Sequence, residues 1–294
     1  MICVTGASGT LSSEVIRQLE RQEIPFRGAY FSERAAKSAR ARGIEAVTID
    51  YNHPETLRAA FQACDTVFLL GPNALNQTEL ELNAVDAASA ARVRHIVKQS
   101  VMGAAEEAYS LANIHRPVEK AIERSDMAWT FLRPNSFMQN AVTFMAPTIR
   151  VESAFYSVSG QARISHVDVR DIAAAAVVAL TTEGHEEQIY TLSGPEALTY
   201  DEVADELSKV MGRVIRHVSL PAADLRAGML AGGMPEAIAD RMLDLERYFR
   251  EGRASAITDG VKRVTGRAPR RFAEYVRNTA ATSVWNADVA LAVS

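Results

Sequence analysis

With 294 residues, 48% hydrophobic and 23% charged, the chain is long enough for one large or two smaller globular domains, and its net charge of −4 without any Lys/Arg block argues against direct nucleic-acid binding or a membrane-surface role. Cys3 and Cys64 lie far apart, the first inside an expected buried strand, and the six histidines form no cluster at ligand spacing, so neither a disulfide framework nor a metal site is expected. The longest apolar run, residues 172–180, is too short for a bilayer, and a strand expected from residue two leaves no room for a targeting segment, so a reducing cytoplasm fits best.

Ile2, Cys3, Val4 and Thr5 read as a short buried strand, which Gly6-Ala7-Ser8-Gly9-Thr10-Leu11-Ser12 turns sharply into a helix. Leu11, Val15, Ile16 and Leu19 share one face of that helix. Gly6 permits the tight turn and Gly9 the close approach of a pyrophosphate, whose charge meets free N–H groups at the helix N-terminus. This is a dinucleotide-binding opening. Ser12 stands where a third glycine would let helix and sheet pack closely, so a slightly displaced helix is expected.

Residues 25–31 read as a second strand, followed by Ser32, Glu33, Arg34 and Lys37. Here the adenosine ribose is read: a strand-end carboxylate suits NAD, whereas a cation meets the 2′-phosphate of NADP. The strand ends on Phe31, with Arg34 and Lys37 beyond it and Glu33 as the only acid, so the charge balance favours NADP, with NAD as the alternative. Each cation alone also suits a solvated helix face.

Further strands are expected at 46–49, closed by Asp50; at 67–70, closed by Gly71-Pro72-Asn73; at 96–100; and at 129–132, ending at Arg133-Pro134-Asn135. They alternate with helices at 57–63, 80–91 and about 117–125, and the runs at 46–49 and 67–70 are apolar on both faces, which predicts an α/β, doubly wound parallel (Rossmann) sheet. Ligands sit beyond the carboxyl ends of such strands, so Gly6, Phe31, Asp50, Gly71, Ser100 and Pro134 are expected to converge on one crevice.

The remainder changes character. One more strand is expected at 164–167, with Asp168 or Asp171 capping an Ala-rich helix over 172–180, then a strand at 189–192 leading to Gly194-Pro195. Thr199 to Glu202 forms a capping box ahead of a helix over 203–211, and Met234-Pro235-Glu236 opens another. This half carries no second phosphate motif and suits a smaller, mainly helical α+β C-terminal cap that binds substrate. The expected division is 1–134 with 154–184 for the nucleotide-binding domain and 135–153 with 185–294 for the cap. No role is assigned to 279–294.

Gly6-Ala7-Ser8-Gly9, Phe68-Leu69-Leu70-Gly71-Pro72, His95 to Ser100, Trp129 to Asn140 and Ser193-Gly194-Pro195-Glu196 together resemble the NmrA-like branch of the atypical short-chain dehydrogenases/reductases, over nearly the whole chain. That branch holds NAD(P)H-dependent quinone reductases, triphenylmethane-dye reductases and proteins that bind NADP without turnover. The resemblance and the fingerprint together place a cofactor on Gly6, Ser8, Gly9, Thr10 and Leu11, then on Phe31, Ser32, Arg34, Asp50, Leu70, Gly71, Pro72, Ser100 and Pro134. The family often carries an arginine where this chain has Phe31. The wider superfamily also uses a tyrosine acid with a lysine four residues on, and none of the eight tyrosines here has one; His115 and Glu119 stand where that pair should lie.

Ser100 matches the superfamily's active-site serine and either bonds the substrate oxygen or caps the strand end. His115 either donates a proton or orders the start of the helix before Pro117. Glu119, one turn on, suits a surface or hinge position better than an acid. Asn135, Phe137, Met138 and Asn140 follow the last strand of the sheet and either wall the substrate or belong to the core. The expected function is hydride transfer from NADPH, or NADH, to a quinone-like or other conjugated small-molecule electrophile by a monomer or homodimer. The competing reading is a non-catalytic NADP(H) sensor.

Overall fold

The computed structural model describes residues 1–280 and 285. Residues 281–284 and 286–294, most of the unassigned 279–294 stretch, lie outside the described residues. In chain order the elements are β1 Ile2–Val4, α1 Thr10–Arg21, β2 Phe26–Tyr30, α2 Glu33–Ala41, β3 Glu45–Thr48, α3 Pro54–Phe61, β4 Thr66–Leu69, α4 Gln77–Ala90, β5 His95–Gln99, α5 Ser110–Glu123 and β6 Ala128–Pro134. A π-helical turn Ala141–Met145 leads into α6 Ala146–Glu152 and β7 Ala154–Ser157. Then follow α7 Val169–Thr181, β8 Gln188–Leu192, α8 Tyr200–Met211, β9 Arg216–Ser219, α9 Ala222–Ala231, α10 Glu236–Arg250, α11 Gly260–Thr265 and α12 Phe272–Ala280. Two compact units result, one from residues 1–134, 169–192 and 260–267, the other, among the described residues, from 135–168, 193–259 and 268–280.

The first unit is a seven-stranded sheet of order β3-β2-β1-β4-β5-β6-β8, parallel at every pairing. The order reverses between β1 and β4, so the loops opening at Gly6 and at Gly71 flank the point where a doubly wound sheet takes its ligand. The apolar face of α1 is buried as the spacing predicts, through Leu11, Val15, Ile16 and Leu19. On the sheet's other face a core joins Cys3, Val67, Leu69, Ile96 and Phe131 to Leu57 and Phe61 of α3, Leu80 and Ala84 of α4, and Val118 and Ile122 of α5. Each Val, Leu, Ile or Phe among them contributes about 1.5–3 kcal/mol on burial.

Four expectations are corrected here. Ser12 does more than take up room: its fully buried hydroxyl donates to the Thr5 carbonyl at 2.7 Å and ties α1 to the end of β1. The helix expected from Pro117 begins at Ser110, because Pro117 sits on the solvent face, where its missing N–H is tolerated inside α5. The strand expected at 164–167 is two isolated bridges, Ile164 to Leu198 and Val167 to Phe137, since the intervening Ser165 amide is diverted to the Ala254 carbonyl. The domain boundaries move as well. β8 is hydrogen-bonded to β6 and belongs to the sheet, whereas Ala154–Ser157 pairs with β9 in the second unit.

Within the second unit β7 and β9 run parallel, with Phe155 opposite His217 and Ser157 opposite Ser219. His217 holds them to α8, its Nε2 2.8 Å from Ser157 Oγ and its Nδ1 2.8 Å from Asp201 Oδ1. The connectivity is that of a nucleophile relay, but Ser157 is 1% exposed and its Oγ also accepts from the Ser159 amide at 3.2 Å, so it is a clasp. The capping box at α8 forms as expected, the Thr199 side chain accepting from the Glu202 amide and the Glu202 carboxylate from the Thr199 amide.

Replacing Ser12 by alanine is expected to strand the Thr5 carbonyl and cost about 1–3 kcal/mol. Urea unfolding measures it, and an unchanged midpoint would show that the hydroxyl contributes nothing to the β1–α1 junction.

Candidate active site

The cradle at the start of the chain is built from backbone. Gly6 has φ +60°, and a Cβ there would lie 3.0 Å from the Leu70 carbonyl oxygen, so both its conformation and its surroundings exclude a side chain. Gly9 is the N-cap of α1, with no capping side chain and no acid in the first turn, which leaves the amides beyond it, Thr10 and Leu11 included, unclaimed by any cap. Ser8 and Thr10 are exposed, while the Leu11 side chain is in the core, so Leu11 has only its N–H to offer. The turn is locked to the loop after β4: Thr5 Oγ1 accepts from the Leu70 amide at 2.9 Å, and the Tyr51 hydroxyl donates to the Leu70 carbonyl at 2.8 Å. The donor set, free amides at a positive helix terminus facing space that no side chain can fill, fits a dinucleotide pyrophosphate.

At the end of β2 the side chains sort themselves. Phe31 is 75% exposed, and Ser32 is the N-cap of α2. The Glu33 carboxylate is taken by Thr48 and Arg40, which hold its pKa below the usual carboxylate range. Arg34 and Lys37 are exposed and form no ion pair among the described residues. Asp50 is turned into its own loop, Oδ1 accepting from the Asn52 amide at 2.9 Å.

Behind the crevice lies a buried ionic network of which the sequence reading placed only half. Lys98 of β5 and Glu81 of α4 are both fully buried, and Lys98 Nζ lies 2.7 Å from Glu81 Oε2. The same ammonium donates to the Gln99 carbonyl at 2.5 Å and lies 3.1 Å from His115 Nδ1. The other Glu81 oxygen accepts from Gln77 Nε2 and from the Gly71 amide, each at 3.1 Å. A Cβ on Gly71 would come within 2.4 Å of the Glu81 Cγ, so this position admits only glycine while Glu81 is in place. Burial alone would push the Glu81 pKa up; the charge and hydrogen bond of Lys98, with His115 and Gln77, outweigh it and hold the carboxyl below its ordinary range.

One turn further along α5, Glu119 repeats the pattern. It is fully buried and bidentate to Arg133 of β6, at 2.9 and 2.7 Å, with Arg116 at 3.1 Å. Burial again opposes ionisation, and Arg133, Ser100 and Arg116 together overcome it. The surface or hinge position expected for Glu119 is therefore corrected: it is an internal counter-ion. His115 lies well inside α5 and does not order its start.

Ser100 ends β5 fully buried, near enough to Glu119 to help lower its pKa, yet its hydroxyl has no partner at full hydrogen-bond geometry. Pro134 is buried at the end of β6, its carbonyl accepting from the Met102 amide at 2.9 Å. Thus Gly6, Phe31, Asp50, Leu70, Gly71, Pro72, Ser100 and Pro134 all sit at the carboxyl ends of strands in one sheet. The residues expected at the substrate divide. Asn135 is committed within the second unit, its Nδ2 donating to Ser165 Oγ at 2.8 Å and to the Ala254 carbonyl at 2.7 Å, and Met138 is 1% exposed. Packing thus claims these two, whereas Phe137 and Asn140 stay partly exposed. Among the described residues no helix is long and apolar enough to cross a membrane.

Removing the cation should expose the cost of the buried carboxylate. Lys98→Met is expected to destabilise the protein by about 3–5 kcal/mol at neutral pH, because Glu81 is left charged and unpaired. The depressed pKa of Glu81 contributes stability that is present above the unfolded carboxylate pKa of about 4.3 and is lost as pH falls through the folded value, so the gap between wild type and variant should narrow on acidification. Denaturation midpoints at several pH values test this, and a gap independent of pH would contradict it.

Comparison with known proteins agrees with this architecture. The family model described as NmrA-like matches residues 1–276. An NAD(P)H azoreductase of Xenophilus azovorans is 38% identical over 284 residues, covering 96% of this chain and 98% of that protein. The structure of an NADPH-dependent quinone oxidoreductase of Escherichia coli complexed with NADPH superposes with a TM-score of 0.87 at 27% identity, covering 95% of this chain and 99% of the other. That of Citrobacter sp. triphenylmethane reductase complexed with NADP(H) gives 0.84 at 28% identity, covering 94% and 99%. With its sheet, its glycine cradle and a match over almost its whole length, the chain belongs to the NmrA-like family.

Proposed function

We propose that the protein is an NAD(P)H-dependent oxidoreductase of the azo, quinone and dye reductase type, passing a hydride to a conjugated electrophilic small molecule. The observation that carries the reading is the cradle of Gly6, Gly9 and the uncapped start of α1 at the switch point of the sheet. Bound NAD(P)H supplies the hydride. The first-turn amides of α1 hold the pyrophosphate, and Arg34 with Lys37 meets the 2′-phosphate, which Glu33 does not oppose because Thr48 and Arg40 occupy its carboxylate. NADPH is therefore the preferred cofactor, with NADH accepted.

The acceptor class follows from what the site lacks and from what its relatives are named for. No tyrosine is followed by a lysine at the spacing of the superfamily's acid pair. The named substrates of the relatives, azo compounds, quinones and triphenylmethane dyes, are conjugated systems in which the charge that a hydride brings is delocalised, so alignment and exclusion of water do most of the work. Ser100, whose buried hydroxyl lacks a partner, and His115 support the acceptor oxygen or nitrogen by hydrogen bonding. Phe137 and Asn140, just after β6 in sequence and partly exposed, are the residues we assign to substrate binding. The competing reading, a cofactor sensor without turnover, draws its support from the same missing pair.

Calorimetric titration is expected to give tighter binding of NADPH than of NADH, with Arg34→Ala removing most of the difference; equal affinities in the wild type would show the site blind to the phosphate. Stopped-flow oxidation of NADPH against quinones, azo dyes, enones and simple ketones separates the two classes. Turnover with conjugated acceptors, poor rates with ketones, a loss of roughly ten- to hundredfold in Ser100→Ala and His115→Ala, and a larger loss in Phe137→Ala are expected of a reductase. Cofactor binding with no turnover on any acceptor would leave the sensor.

A further inference from the structure

His166, in the second unit, is 6% exposed, and among the described residues neither of its ring nitrogens has a hydrogen-bond partner. Rings surround it instead: Tyr200 of α8 and Phe272 of α12, each with its centroid 6.1 Å away, and His217 of β9 beyond Tyr200, 5.4 Å from that ring. The titratable groups of these elements are engaged elsewhere. Burial keeps Tyr200 neutral by pushing its pKa up, and His217 faces Ser157 and Asp201. Asp168 accepts from Gln139 Nε2 at 3.1 Å, and Glu196, beside the start of α12, holds Arg271 and the Phe272 amide. Desolvation therefore acts on His166 unopposed and pushes its pKa down to about 4.

The backbone at this ring carries a residue assigned above to the substrate. The Val167 amide donates to the Ser136 carbonyl and the Val167 carbonyl accepts from the Met138 amide, each at 2.9 Å, so the chain on either side of Phe137 hangs on the residue after His166. Ile164 is paired with Leu198, and Gly194 closes so tightly that a Cβ there would lie 2.0 Å from the His166 carbonyl oxygen. The backbone of 164–167 is pinned by hydrogen bonds, whereas the imidazole between them is held by packing alone.

We infer that His166 is an acid-sensitive positioning residue: as the neutral imidazole it stays seated among the rings and keeps the 164–167 segment in place to carry Phe137, and as the imidazolium it drives that segment from its seat. The link to substrate rests on the reductase reading; the acid response does not. In water the ring takes a proton at about pH 6.5, and when seated only near about 4, so on acidification the unseated form is protonated first. Seating is unaffected well above about pH 6.5 and weakens as pH falls from there toward the seated value, the opening equilibrium growing about thirtyfold between pH 7.5 and 5.

Hydrogen exchange on the full chain without cofactor reads the seat directly. After correction for intrinsic rates, protection of the Val167 and Met138 amides is expected to fall about thirtyfold more between pH 7.5 and 5 in the wild type than in His166→Phe, which cannot titrate. Carbon-13 spectra, with the variant identifying the resonance, are expected to show His166 still neutral at pH 5. An imidazole that titrates near pH 6.5, or an equal pH dependence of protection in the two proteins, overturns the proposal. If His166→Phe does not fold, the wild-type titration decides. An acceptor KM that rises on acidification in the wild type and not in the variant is expected, and matching KM profiles overturn the link to Phe137. Should no acceptor be turned over, the reductase reading falls and the exchange result stands by itself.

Discussion

The buried pair of Glu81 and Lys98 is the constraint to which the carboxyl end of the sheet answers. Two ions with no exposure to water persist only if nearly every polar atom around them is engaged, and here the surplus bonding capacity is spent on parts of the site: the Gly71 amide, the Gln99 carbonyl and the His115 ring. A hydrophobic pair of equal volume would fill the space and leave all three unplaced. Glu119 and Arg133 form a second buried ion pair, so α5 is held in place by apolar packing through Val118 and Ile122, by this ion pair to β6 and by the contact of His115 with Lys98 of β5.

The nucleotide half of the molecule was legible because its signals are local. A β-branched strand running into Gly6 and Gly9, the four apolar residues on one face of α1, and the short apolar run of β4 each report on the backbone around them, and all survive in the structure, whereas β3 is a half-exposed edge strand. The ionic network was not legible, since it depends on which residues of α4, β5, α5 and β6 meet. One signal for it was present: Lys98 follows the apolar pair Ile96-Val97 within a strand of a covered sheet, and a lysine buried there needs an internal anion. β7 and β9 escaped for the opposite reason. Arg216-His217-Val218-Ser219 has neither an apolar run nor clean alternation, and its strand character comes from pairing with β7 and from the clasp at His217.

Ser12 shows how a motif can be altered without being lost. The third glycine of a dinucleotide fingerprint exists to let helix and strand approach closely. A serine keeps that approach when its hydroxyl finds an acceptor in the strand itself, and the Thr5 carbonyl is that acceptor. Thr5 meanwhile uses its side chain to bind the end of β4. Two small hydroxyl residues thus join β1, α1 and β4 at the reversal point of the sheet, and the cradle owes its shape to them as much as to its glycines.

The route of the chain carries a consequence for how the protein is made. It passes from one unit to the other after residues 134, 168, 192, 259 and 267, so neither unit is a continuous fragment. As the polypeptide leaves the ribosome, the strands through β6 emerge first, and β6, with Phe131 and Leu132, remains an open sheet edge until β8 has been translated at residue 192. Between those two moments a nascent chain displays unpaired backbone beside apolar side chains, the surface most prone to pair with a neighbour on the same polysome. The interval is a window in which a holding chaperone has something to grip, and it makes premature termination between those points more hazardous than termination after them.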